Sequence, residues 1–134
     1  MTTSLQQPPL KTEDLLIGML AVLSLRGRDS VKTTDKAFHS AFGNALEVFK
    51  SDDSEIAKVA DEYYPDIVSN TYDELNNALI VAEGYSLLRF PNPSYTRLQI
   101  TMTPRVATTF LNGYGEKKEL FEKAADALLK GLAV

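Results

Sequence analysis

Residues 15 to 25, Leu-Leu-Ile-Gly-Met-Leu-Ala-Val-Leu-Ser-Leu, form a nearly continuous apolar run preceded by Thr12-Glu13-Asp14 and followed by Arg26-Gly27. Thr12 can cap a helix, the two acids favour the positive end of its dipole, and the glycine ends it. Apolar residues fall almost all round this predicted helix, so it is covered on most sides, as the centre of the core or as a dimer seam. A second helix, capped by Thr34 or Asp35, carries Phe38, Ala41, Phe42, Ala45, Leu46 and Phe49 on the i, i+3, i+4, i+7 stripe of an amphipathic helix. A short third helix begins near Ser54-Glu55, aligns Ile56, Val59, Ala60 and Tyr63, and must stop by Pro65. A fourth runs from Thr71, with Glu74 as its capping-box partner, buries Leu75, Ala78, Leu79 and Ala82, and ends at Gly84.

The period then changes. Tyr85 to Phe90 reads as a strand, and Leu98, Ile100 and Met102 alternate with Arg97, Gln99 and Thr101 as a half-buried strand does. The two are expected to pair as a hairpin around Pro91-Asn92-Pro93-Ser94, since proline cannot donate to a ladder. Thr103 as cap and Pro104 as first residue open a fifth helix with Val106, Ala107, Phe110 and Leu111, stopped by Asn112-Gly113. A last helix, roughly Glu116 to Leu132, buries Leu120, Phe121, Ala124 and Leu128 and turns its charges outward. The expected fold class is mainly α within α+β: about six helices with one two-stranded antiparallel β-hairpin. Residues 1–11, polar with a Pro8-Pro9 pair, read as a flexible N-terminal tail, and residues 12–134 as a single domain.

At 134 residues the chain can bury a core without staples, and 44% hydrophobic with 24% charged residues is the composition of an ordinary globular domain. The absence of cysteine removes disulfides, thiolate chemistry and sulfur-based zinc sites and suits a reducing interior, so a cytoplasmic location is expected. The first apolar run is not read as a signal peptide or a membrane span, because acids stand where such a peptide is positive and the run is short of the ~20 residues a bilayer needs. The net charge of −4 disfavours generic attraction to phosphate backbones, so any DNA contact has to be local. Charge is uneven: Arg26, Arg28, Lys32 and Lys36 lie close together, and an acidic segment from Glu47 to Asp66 follows. The single histidine, His39, sits mid-helix between Phe38 and Phe42 and reads as a structural residue. Asp52-Asp53-Ser54-Glu55 lacks the spacing of a calcium loop, and the glycines at 113 and 115 lack that of a phosphate loop. No cofactor, metal or catalytic residue is assigned, and a non-enzyme is expected.

The residues Leu79-Ile80-Val81-Ala82-Glu83-Gly84-Tyr85, then Arg89-Phe90-Pro91-Asn92-Pro93, then Arg97 to Arg105 with Thr103-Pro104, follow the order helix, hairpin, helix. This segment resembles winged-helix transcription regulators of the MarR and PadR type over residues 71–111, about three-tenths of the chain. The resemblance implies a winged-helix domain that binds double-stranded DNA as a transcriptional regulator. The helix from Thr71 to Glu83 would enter the major groove, with Tyr72, Asn76 and Asn77 facing base edges. Arg89 and Arg97 would belong to the wing, while Arg26, Arg28 and Lys32 would anchor phosphates from the first inter-helix loop. A homodimer through the first and last helices would present the set twice. Asp73, Glu74 and Glu83 make the presumed reading helix negative, however. A second reading therefore stands beside the first: a protein-interaction module of winged-helix shape that meets a basic partner, through the hairpin edge or the Asp61-Glu62-Tyr63-Tyr64 surface.

Overall fold

The computed structural model describes residues 11–33, 35–51, 55–65, 72–89, 97–114 and 117–132. Its first helix, α1 (Thr12–Leu25), is buried at every position from Leu15 to Ser24. The uniform apolar run has the consequence expected of it: α1 is the centre of the core, enclosed by the chain's own helices and not left bare as a dimer seam. Its N-cap is Lys11, one residue ahead of the expected Thr12, and the Asp14 carboxylate accepts the Lys11 backbone N–H at 2.9 Å. Its C-terminus closes as a Schellman motif, with Arg28 N–H on Leu23 O and Gly27 N–H on Ser24 O, both at 3.0 Å, and Gly27 at φ +78°.

Helix α2 (Asp35–Lys50) lays its Phe38–Phe49 stripe inward and packs most extensively on α6 (Lys118–Leu132). Close approach there depends on small residues. A Cβ on Gly131 would stand 3.0 Å from the Ala41 Cα, and one on Gly18 would stand 2.2 Å from the Phe121 ring, where α6 crosses α1. Phe121 anchors one aromatic cluster, against Phe49 and Tyr114 at centroid distances of 5.6 Å and Phe110 at 6.4 Å. The short α3 (Glu55–Ala60) stops before Tyr63, which nevertheless is buried and donates its hydroxyl to Thr12 O. Burial pushes the Tyr63 hydroxyl far up from the ordinary tyrosine range.

Helix α4 (Asp73–Gly84) buries Leu75, Ala78, Leu79 and Ala82 as predicted and packs against α1; its N-cap is Tyr72, and Thr71 lies outside the described residues. The expected strand from Tyr85 to Phe90 contracts to β2 (Leu88–Arg89), because Tyr85 caps α4 and Ser86, at φ 62°, turns the chain before extension begins. Phe90 and the turn expected at Pro91-Asn92-Pro93-Ser94 lie outside the described residues. The partner strand is β3 (Arg97–Ile100), and Met102 is buried just beyond it.

Among the described residues the sheet has three strands, where two were expected. Ser30–Lys32, expected as loop, forms β1, and the order is β1-β3-β2, antiparallel throughout. Its register pairs Val31 with Leu98 and Leu88 with Ile100 on the buried face. Three residues give no alternation long enough to be read as a strand, and it is this tertiary pairing that makes one of them. Helix α5 (Pro104–Asn112) begins as predicted, with Thr103 Oγ1 accepting Val106 N–H at 3.3 Å. The result is a mainly helical α+β fold in which a small sheet presents one face to solvent.

Candidate nucleic-acid interface

The exposed face of the sheet follows from the register. Residues alternate faces along a strand, so with Leu98 and Ile100 inward, Arg97 and Gln99 point outward. Across the ladder Arg97 pairs with Lys32, while Gln99 is flanked by Ser30 on one side and Arg89 on the other. Lys32, Arg89 and Arg97 are all exposed, and no ion pair among the described residues engages any of them. Three cations and the hydrogen-bonding groups of Ser30 and Gln99 thus share one solvent face. The arrangement opposes its own stability, since like charges directly opposite on a sheet cost roughly 0.2–1 kcal/mol. Asp29 joins Ser30, Arg97 and Gln99 around a shallow hollow of about 220 Å³ at one corner of this face.

The two arginines expected to extend the basic set separate. Arg26 Nη1 lies 2.6 Å from Asp126 Oδ1 of α6, an exposed pair that ties the end of α1 to the last helix and leaves that guanidinium partly neutralised. Arg28 instead lines an open groove of about 470 Å³ with Lys32, Lys130, Val31, Leu129 and Leu132. Lys32 therefore stands between the basic sheet face and a second basic surface built from Arg28 and Lys130.

The three residues expected to face bases have different surroundings. Tyr72 is half-buried in an aromatic cluster, stacked with His39 at 6.2 Å and edge-on to Phe42 at 6.3 Å and Tyr63 at 6.4 Å. Its ring is occupied in packing, and burial and Glu47 raise its hydroxyl pKa. His39 is 0% exposed, and its Nδ1 accepts the Tyr72 backbone N–H at 2.8 Å. Because Nδ1 accepts there, the ring N–H that the geometry calls for is on Nε2, which donates to Asn76 Oδ1 at 3.1 Å. The structural reading of His39 is the one realised: it joins α2 to the start of α4. Asn76 is exposed, and with its Oδ1 engaged by His39 its amide donors are the groups left fully open to an outside partner. Asn77 is exposed on the same helix, as are Asp73, Ile80 and Glu83. Of the Asp61–Tyr64 surface, Tyr63 is buried and Asp61, Glu62 and Tyr64 are exposed.

The alternation of Arg97 and Gln99 was visible in sequence, but their alignment with Lys32 was not, because it spans more than sixty residues and depends on β1. No family model, curated protein or solved structure matches the chain.

Proposed function

We propose that the chain is a non-catalytic, cytoplasmic DNA-binding regulator of the winged-helix type, held on the DNA backbone by the exposed face of its sheet. The observation that carries this reading is the cross-strand pairing of Lys32 with Arg97 and the neighbouring Arg89 on one solvent face, with no carboxylate in ion-pair contact with them among the described residues. Such an array is electrostatically costly alone and favourable against a polyanion, whose phosphates it would neutralise with release of counterions. Helix α4 would then enter the major groove with Asn77 and the amide donors of Asn76 toward base edges. Tyr72 serves this reading as the packed N-cap that sets the pose of α4. Arg28 would reach flanking phosphates, and Arg26 would do so only on leaving Asp126. A homodimer, formed without α1, would repeat the contacts.

Fluorescence anisotropy with mixed-sequence duplex DNA tests this. Binding is expected at low salt and should weaken steeply as salt rises. Replacing Arg89 and Arg97 together by alanine should flatten the plot of log K against log salt by about two phosphate contacts, near 0.9 each. An unchanged slope in the double variant would sink the proposal.

One observation favours the second reading, a protein-interaction module. The outward side of α4 is acidic at Asp73 and Glu83 and apolar at Ile80, which is 66% exposed. That combination suits a basic, partly apolar protein surface. Absence of DNA binding at low salt would move the assignment there.

A further inference from the structure

The N-terminal turn of α1 and the C-terminal end of α5 enclose a cleft of about 320 Å³ on the described surface. Its walls are Ile17 and the rings of Phe110 and Tyr114, which pack on each other at 5.1 Å, and the ring of Tyr85, 70% exposed, also lines it. A cleft of this size, with aromatic walls and charged groups gathered at the start of α1, has the dimensions of a small-molecule site.

The polar groups define the ligand. Asp14 is half-buried, and its Oδ2 accepts both the Lys11 backbone N–H at 2.9 Å and the Tyr114 hydroxyl at 3.2 Å. Both bonds fall on one oxygen, so the carboxylate is oriented while Oδ1 has no hydrogen-bond partner among the described residues. Glu13 adds a second carboxylate to the lining, against the one cation of Lys11. A ligand cation is favoured by that balance and by the electron-rich faces of Tyr85, Phe110 and Tyr114. The geometry points to a binding site for a small primary amine carrying an aromatic or alicyclic ring, its ammonium on Asp14 and its ring against Phe110, Tyr114 and Tyr85. Burial already holds the Asp14 carboxyl above its ordinary range, the two hydrogen bonds opposing and Glu13 adding to the effect. A bound cation would offset that desolvation.

The site is independent of DNA binding and is tested without DNA. Amide NMR spectra of the isotope-labelled full chain are followed while 2-phenylethylamine is added at neutral pH, with 2-phenylethanol and phenylacetate in parallel. Saturable shifts at Asp14, Thr109, Tyr114 and Tyr85 are expected for the amine and none of comparable strength for the alcohol or the acid. Asp14→Asn should weaken the amine by about tenfold or more, the worth of one charge-assisted contact. Wild-type affinity should fall as pH drops through the raised pKa of Asp14, because only the ionised carboxylate holds the ammonium. Tyr85→Ala, at an exposed position, keeps the fold and should also weaken binding, so the test stands even where Asp14→Asn fails to fold. No saturable shift with the amine, equal shifts with the alcohol, or unchanged affinity in Tyr85→Ala would overturn the assignment.

Discussion

Ser86 occupies a backbone position that usually belongs to glycine. Helix α4 ends in the same six-residue closure as α1, with Leu87 N–H on Ala82 O and Ser86 N–H on Glu83 O, both at 2.9 Å. The residue in the left-handed region is Gly27 after α1 but Ser86 after α4, at φ 62°. Gly84, which as a sequence signal ends the helix, is instead its last helical residue, and a Cβ there would meet nothing within 4 Å. The left-handed conformation costs an L residue with a Cβ roughly 1–2 kcal/mol. Ser86→Gly should therefore raise the unfolding free energy by about 1 kcal/mol, after the extra entropy of glycine in the unfolded chain is subtracted. A higher urea midpoint at unchanged m-value is the expected result, and a lower midpoint would show that the serine side chain contributes more than its backbone costs. The Ser86 carbonyl, which accepts the Thr101 hydroxyl at 2.6 Å, is kept in the variant.

Among the elements, the helices were legible and the sheet was only half so. Phe38 to Phe49, Leu75 to Ala82 and Phe121 to Leu128 announce helical faces because each stripe repeats over two or more turns, and Thr103-Pro104 marks a start chemically as well as by pattern. Strand β1 has three residues and one buried apolar side chain, Val31, so nothing local distinguishes it from a loop. Its pairing with β3 is decided by the distant burial of Leu98, and with it the placement of Lys32 opposite Arg97. The cleft beside Asp14 was equally hidden, since it joins residues a hundred positions apart through one tyrosine hydroxyl. The Lys32–Arg97 pair allows stability and binding to be separated. Lys32→Glu converts a repulsive cross-strand pair into an attractive one and should stabilise the fold by a few tenths to about 1 kcal/mol. The same change should weaken DNA binding about tenfold or more, because it reverses a charge facing phosphates. Urea unfolding and anisotropy on one preparation read both effects. Lower stability together with unchanged DNA affinity would remove Lys32 from the interface.

At the scale of the whole molecule, the question is how a chain of net charge −4 approaches a polyanion. The long-range field opposes it, so any attraction has to come from a face whose local sign differs from the total, within a Debye length of about 8–10 Å. The sheet face with Lys32, Arg89 and Arg97 meets that condition, and the outward side of α4 with Asp73 and Glu83 does not. If both meet the duplex, the acids of α4 are a standing penalty that limits affinity. Neutralising them is then a sharper test than removing the arginines, because it predicts a gain. Asp73→Asn with Glu83→Gln leaves the α4 stripe of Leu75, Ala78, Leu79 and Ala82 untouched, and both positions are exposed, so the fold should persist. Asp73 sits in the first turn of α4, where its charge favours the helix dipole, so a loss of a few tenths of a kcal/mol in stability is expected. Affinity for duplex DNA at low salt should rise by about tenfold, the worth of removing two repulsions screened by water, and the gain should shrink as salt is added. A gain confined to low salt would place α4 against the duplex. Equal affinity for the variant and the parent would mean that the sheet alone meets DNA, with the acidic helix turned away and open to a protein partner.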